Sequence, residues 1–465
     1  MGRRALIALA GLLGLLGLAA GCATANPPDG GGKAAAPANL ARPKSTFVQV
    51  AVIDGDLRSR VHGALVRIGR SSGRTDRTGW VRLHTHRRGA FRVTVTKPGY
   101  GMSTGRVAFR QRAGAAVPIY QTALQWRMFG ATPARTQAQT QIRLRPPFRI
   151  VWGKPTGGLI EFPAVVDQGV AYFGNFDGTI QALSMSNGAR IWRHYTTNGK
   201  MAASPAVVGE SVVVHGMDGY VRVLNRRNGR LLWRFAAGSP IESSPVVRDG
   251  VDYFGTWSGN VYALDLRRHR LRWVFHSGYK ITSSASFGGG KLYIGDYGGR
   301  VLALSPATGR PRWIGRVNGR IYGTPAFAAG RVFVPSSTGN SLTAFSGRGR
   351  RLWSVNTGSY VYSSPAVWAG RVFFGSYNGV LYAVSARSGA VLWRFATGGA
   401  ISAAPVVVDG VVYCGNFQHR IYGVDARSGR QLLRFPHGEY VPVSGNGGRL
   451  LLHGTSHLYA VEPTR

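Results

Sequence analysis

The sequence is short of acids, of cysteine and of long apolar runs. Its 465 residues hold 18 Asp+Glu against 58 Lys+Arg, a formal net charge of +40, so a calcium site built from several carboxylates has few groups to draw on. There are two cysteines, which rules out a disulfide framework. Zinc-type spacing of Cys and His, a phosphate-cradling Gly loop at a strand-to-helix turn and a nucleophile elbow are all missing. The chain is nonetheless 44% hydrophobic and 11% aromatic, with 66 glycines. That composition describes a folded, Gly-rich and very basic protein able to bury a large core.

The one extended apolar run, "ALIALAGLLGLLGLAA" (5–20), follows Arg3 and Arg4 and ends too soon for a membrane span, so it reads as a processing signal. It closes on Ala19, Ala20 and Gly21 before Cys22, which resembles a bacterial lipobox with its leucine, Leu18, one place early. The resemblance implies a signal peptide over 1–22, acylation of Cys22, and an exported protein held on the membrane by lipid, facing the periplasm or the cell exterior. Plain secretion and an uncleaved anchor are the alternatives. Residues 23–45, rich in Ala, Pro and Gly, read as a flexible tether. Cys414 occupies a repeat position held elsewhere by Phe254 and Phe374, so buried apolar filler is expected there, with a reactive thiol as the alternative.

Over 46–121, segments such as "FVQVAVID", "GALVRIG" and "FRVTVTKPGY" alternate apolar and polar residues between Gly, Asp and Pro breaks, which predicts a small β-sandwich. Gly63-Ala64, Thr75-Asp76, Gly79 and Pro98-Gly99-Tyr100 make it similar to the transthyretin-like modules of the carboxypeptidase regulatory-like family, which implies an accessory fold without catalytic residues. His84 and His86 share a strand face and could pair on a metal, but Arg87 and Arg88 adjoin them and no third ligand is near, so a solvated face is expected.

Beyond a lead-in at 122–147, the text repeats. Trp152, Trp192, Trp233, Trp273, Trp313, Trp353 and Trp393 recur every 40 or 41 residues, with Leu433 in the eighth place. Each unit carries four short strands separated by turn residues, which predicts an all-β fold with an eight-bladed β-propeller over 148–465. The large residue is expected to fill the joint between blades. An Arg after Trp192, Trp233 and Trp393 admits a nucleic-acid stacking ladder, but the forty-residue period is architectural. The last blade is expected to combine the Trp152 strand with three strands from the C-terminus, closing the ring and removing open edges.

"ALSPATGRPRW" (303–313), "AVSARSGAVLW" (383–393) and "VLNRRNGRLLW" (223–233) resemble the tryptophan-docking motif of pyrroloquinoline quinone-like (PQQ-like) propeller repeats. That resemblance covers all eight units and implies one of two functions. One is a non-enzymatic envelope lipoprotein of the BamB type, a scaffold without cofactor that binds an envelope protein or anionic polymer. The other is a quinoprotein dehydrogenase, which implies a catalytic Asp, calcium held by Glu and Asn oxygens, and typically adjacent cysteines. The sequence has no adjacent cysteines, and its best Asn/Asp candidate, "GNFDG" (174–178), falls in a repeat hairpin. The scaffold reading is therefore expected, with no catalytic and no metal-binding residue, no nucleic acid partner, and a monomer. The positive charge is read either as compositional arginine bias or as attraction to anionic surfaces.

Residues in one column of the repeat lie on one ring around the propeller axis. The place before the residue that opens each blade holds Lys200, Lys280, Arg320, Tyr360 and Tyr440; the place after holds Glu161, Glu242, Tyr322 and Tyr362. Both rings belong to one face, and Tyr and Arg concentrate binding energy at interfaces. A partner-binding face centred on Arg320, Tyr322, Tyr360 and Tyr362 is one expectation; plain exposed links are the other.

Overall fold

Alternation along 46–119 places every second side chain in a common interior, and the segment forms two packed sheets. Strands β1 (Thr46–Asp54), β4 (Trp80–Thr85) and β7 (Ala115–Ile119) make one, in the order β4-β1-β7. Strands β2 (Leu65–Ile68), β3 (Ser71–Arg74), β5 (Ala90–Thr96) and β6 (Ser103–Ala108) make the other, in the order β3-β2-β5-β6. Val50, Val52, Val66, Val93, Val95 and Ile119 form its core. The motif residues hold the turns: Thr75 Oγ1 accepts from Ala64 N at 2.9 Å and donates to Val61 O at 2.7 Å, and Asp76 Oδ1 accepts from the amides of Thr78 and Trp80. Gly79 has φ +77°, and a Cβ there would lie 2.9 Å from Arg60 Cβ. His84 is exposed, its ring 4.3 Å from Phe47.

This computed structural model describes residues 46–85, 89–108, 115–196, 199–438, 440 and 442–464. The expected signal peptide with Cys22, the tether at 23–45, and His86 lie outside the described residues.

Each forty-residue unit folds as one four-stranded antiparallel sheet, with strands A to D running outward from the channel. Blades 1 to 7 span 165–195, 206–236, 246–276, 286–316, 326–356, 366–396 and 406–435. Strands B and C are mostly apolar and buried on both faces, as in "VAYFG" (170–174), whereas strand D alternates outward, as in "LLWRFA" (231–236). The eighth blade is composite: Val443–Gly445, Leu450–His453 and His457–Pro463 supply A to C, and β9 (Phe148–Pro155) supplies D, with Ala460 opposite Trp152. The composite blade closes the ring by pairing the start of the propeller with its end.

Trp152 Nε1 donates to Met185 O at 3.0 Å and Trp192 Nε1 to Arg226 O at 2.9 Å. Trp273, Trp313, Trp353 and Trp393 repeat the bond to Pro306, Gly347, Ala386 and Ala426. Each ring lies on a turn of the next blade. Gly229 shows why that turn needs glycine: its φ is +69°, and a Cβ would meet Trp192 at 2.5 Å. Trp152 and Trp192 are buried, while the remaining five tryptophans are half-buried. Leu433 packs half-buried against the cluster that spans the first and last blades. Cys414 is fully buried, and burial pushes its thiol up to about 12.

A hydroxyl relay joins neighbouring blades around the channel. Ser204 N donates to Ser244 Oγ, Ser244 N to Ser284 Oγ, Ser284 N to Thr324 Oγ1 and Thr324 N to Ser364 Oγ, at 2.8–3.2 Å. This accounts for the hydroxyl residue before or near proline in these units.

The lead-in does more than connect. Strand A of each blade has a free inner edge, and the lead-in pairs with these edges in succession. Trp126 bridges Val166; the carbonyls of Arg127, Pro133, Ala134, Thr136 and Gln137 accept from Val207, Phe287, Phe327, Val367 and Val407 at 2.8–2.9 Å. Then β8 (Ala138–Gln139) runs parallel to strand A of blade 7. Blade 3 is engaged by the fully buried Arg135, whose guanidinium donates to Ser244 O, Pro245 O, Ala285 O and Phe129 O. The segment plugs the channel at the end where A–B and C–D turns lie.

Candidate functional site

With that end plugged, the channel is a blind cup open at the end formed by the B–C hairpins and the links between blades. It holds about 130 Å³, with Phe129 of the plug at its floor and Glu161, Phe162, Glu242, Tyr322, Tyr362 and Tyr440 among its walls. The links are pinned from two sides. Lys280 O accepts from Tyr297 N of its own blade at 2.9 Å, and Ile281 N donates to Thr256 O of the preceding blade at 3.0 Å; the pattern recurs around the ring. Rigid links hold adjacent side chains at fixed places on the rim.

Of the nine residues in the two columns, five come together around Tyr297 and Tyr377, and a sixth, Tyr440, joins them. Tyr322 packs 4.7 Å from Tyr362, which lies 5.8 Å from Tyr360. Arg320 stands 5.7 Å from the Tyr297 ring, and Lys280 Nζ lies 3.2 Å from the Trp257 ring centroid and 5.2 Å from that of Tyr297. Tyr440 joins through Phe417 at 6.1 Å. Lys200 stands apart, exposed, over Phe176 at 5.5 Å.

The structure adds a column that sequence reasoning missed. The hairpin positions Phe176, Met217, Trp257, Tyr297, Ser337, Tyr377 and Phe417 recur at 40 or 41 residues and form a ring between the two predicted ones. Tyr297 packs on Tyr322 at 4.4 Å, and Tyr377 on Tyr362 at 4.9 Å. The signal was present as an aromatic before the hairpin glycine.

Deeper in the cup, burial pushes Glu161 up to about 7, and the charge of Glu242 adds to the shift. Burial also raises Glu242, opposed by the hydrogen bond from Trp257 Nε1 at 3.0 Å and by Lys280. Burial raises Tyr297, Tyr362 and Tyr377 as well, so these phenols stay protonated near neutral pH and act as donors. The surface combines flat amphipathic rings, cations and recessed carboxylates, a composition suited to gripping side chains of another macromolecule.

The residues do not fit a quinone with calcium. Among the described residues no three His, Cys, Asp or Glu side chains gather as metal ligands. Asn175, the best sequence candidate, spends its oxygen on Thr179 N and Oγ1 within its hairpin and its amide on Thr156 O in the link from the eighth blade. Asp177 likewise accepts from Thr179 N.

Eight sheets of four strands, docked through a periodic tryptophan and closed by a composite blade, define a β-propeller of PQQ-like repeats. A family profile described as outer membrane protein assembly factor BamB matches residues 121–278 and 258–463, and the chain belongs to that family. The BamB of Bordetella pertussis is 32% identical over 81 residues, 17% of this chain and 21% of that protein. The quinoprotein ethanol dehydrogenase of Pseudomonas putida is 32% identical over 84 residues, 18% of this chain and 14% of that protein. These matches span about a fifth or less of either relative. The crystal structure of BamB from Moraxella catarrhalis superposes with a TM-score of 0.59 at 17% identity, covering 68% of this chain and 98% of that one, which shows a shared fold.

Proposed function

We propose that this chain is a non-enzymatic, monomeric scaffold of the bacterial envelope, BamB-like, anchored by lipid on Cys22 and set off from the membrane by the 23–45 tether. In this reading 46–121 is an accessory module of carboxypeptidase regulatory-like type, and the open end of the propeller holds an envelope protein or anionic polymer. The observation that carries it is the continuous aromatic surface Tyr297-Tyr322-Tyr362-Tyr360-Tyr377, with Lys280 and Arg320 at its edge. Family membership supports it, and so does the misfit of the cup to a quinone and calcium. Partners crosslinked to wild-type protein in the envelope are expected to be lost from an Arg320→Glu/Tyr362→Ala variant that retains the wild-type circular dichroism and melt. Equal recovery from that variant would remove this face from consideration.

A further inference from the structure

The two ends of the propeller differ sharply in charge. None of the eight B–C hairpins at the open end contains an arginine or lysine, whereas the C–D turns of blades 2 to 7 at the plugged end contain eleven arginines. Ten of these are exposed, Arg226 alone being buried. A compositional bias toward arginine acts on both sets of turns alike, so it does not produce this division.

One C–D turn at the plugged end departs from the pattern. The C–D turn of blade 1 (185–189) has no arginine, and there the sandwich sits on the propeller: Asp56, Arg58 and Tyr120 line one cleft with Met185, Ser186 and Gly448. The sandwich also meets blade 2, where Arg227 donates to Thr104 Oγ1 at 3.4 Å, and Arg449 of the last blade's A–B turn lines the same cleft; the C–D turns of blades 3 to 7 carry the remaining eight arginines. Few of these charges are spent internally. Arg226 pairs with Asp167, Arg227 with Glu210, and Arg268 lies 3.8 Å from Asp265; the other eight have no ion pair among the described residues. The A–B turns at this end contribute Glu210, Asp249 and Asp409, of which Asp249 faces Arg248.

We infer that the plugged end docks on an anionic phospholipid surface through its C–D arginines, directing the open end away from the membrane. The C–D turns of blades 3 to 7, at one level of a ring, present eight exposed arginines as a broad array rather than as a pocket, which suits a plane of headgroups. Basic groups within a Debye length of such a plane add their attractions.

The test uses the full chain carrying Cys22→Ser, so that no acyl group contributes. Cosedimentation compares vesicles of equal parts phosphatidylglycerol and phosphatidylcholine with vesicles of phosphatidylcholine alone. Binding that depends on phosphatidylglycerol and falls with salt is expected. R267Q/R268Q/R348Q/R350Q should weaken it by more than about tenfold. R234Q/R316Q/R394Q/R434Q removes the same net charge from exposed positions on strand D and should change it by less than about threefold. Equal loss in both variants would reduce the effect to net charge, and no loss in the first would refute it. Tight binding of soluble polyphosphate without vesicle binding would assign the face to a free polyanion instead.

Discussion

The ring of His269 stacks on that of Trp233, centroids 4.7 Å apart and planes 10° from parallel. His269 stands where the turns that receive Trp192, Trp273, Trp313, Trp353 and Trp393 have glycine, and it keeps the left-handed backbone of that place, with φ +53°. The blade 2–3 joint thus replaces close approach by a ring contact. His269→Ala, which keeps the strained backbone and loses the stack, should destabilise the protein by about 1 kcal/mol. His269→Gly relaxes the backbone as it loses the stack and should be near neutral. Urea melts of the two variants separate these outcomes.

Ring closure rests on the pairing of β9 with His457–Pro463. Trp152→Ala should cost about 3–5 kcal/mol, as for a buried tryptophan truncated in a core. Deleting 441–465 removes strands A to C of the composite blade and should lower and broaden the melt of the whole propeller. An unchanged cooperative melt of the truncated chain would contradict the composite blade.

The docking tryptophans and the composite blade were legible because one large residue repeats at a fixed period, with a lone Trp152 strand before the first full unit and three C-terminal strands that lack one. The hairpin ring was harder to see: its column mixes Phe, Met, Trp, Tyr and Ser among Gly, Asn and Asp, and the turn chemistry dominates the reading. The lead-in was recognised as a segment, but its plugging role was not, since Pro133, Ala134, Thr136 and Gln137 engage the blades through main-chain carbonyls that any residue supplies. Arg135 looked like one more arginine in an arginine-rich chain until its four carbonyl partners were in view.

Asp56, at the junction of sandwich and propeller, is 7% exposed, with Oδ2 bound by Gln125 Nε2 at 2.7 Å and Oδ1 unpartnered. Burial pushes it up to about 7, against an ordinary value of 3.8; the Gln125 bond opposes the shift and Asp54 adds to it. The folded state therefore holds this proton more tightly than the unfolded chain does. Its contribution is complete below about pH 4 and is lost as pH rises through about 7. Asp56→Asn should stabilise the protein at pH 8, by at most about 4 kcal/mol, and flatten this part of the profile. Melts across pH 4–8 for the two proteins check the sign.

Titration with the quinone and calcium should give no stoichiometric change in absorbance and no dye-linked oxidation of alcohols or sugars. Saturable quinone uptake with turnover would favour the dehydrogenase reading.

The central claim, that the open end is where a partner sits, is tested most directly by a photoreactive residue placed at Tyr360 and, separately, at Ile191. Both positions are 46% exposed, the first on the aromatic rim and the second on an outer strand of blade 1. A discrete adduct from position 360 in the intact envelope, absent from position 191, is the predicted result. Adducts of equal yield from both positions, or from 191 alone, would contradict it.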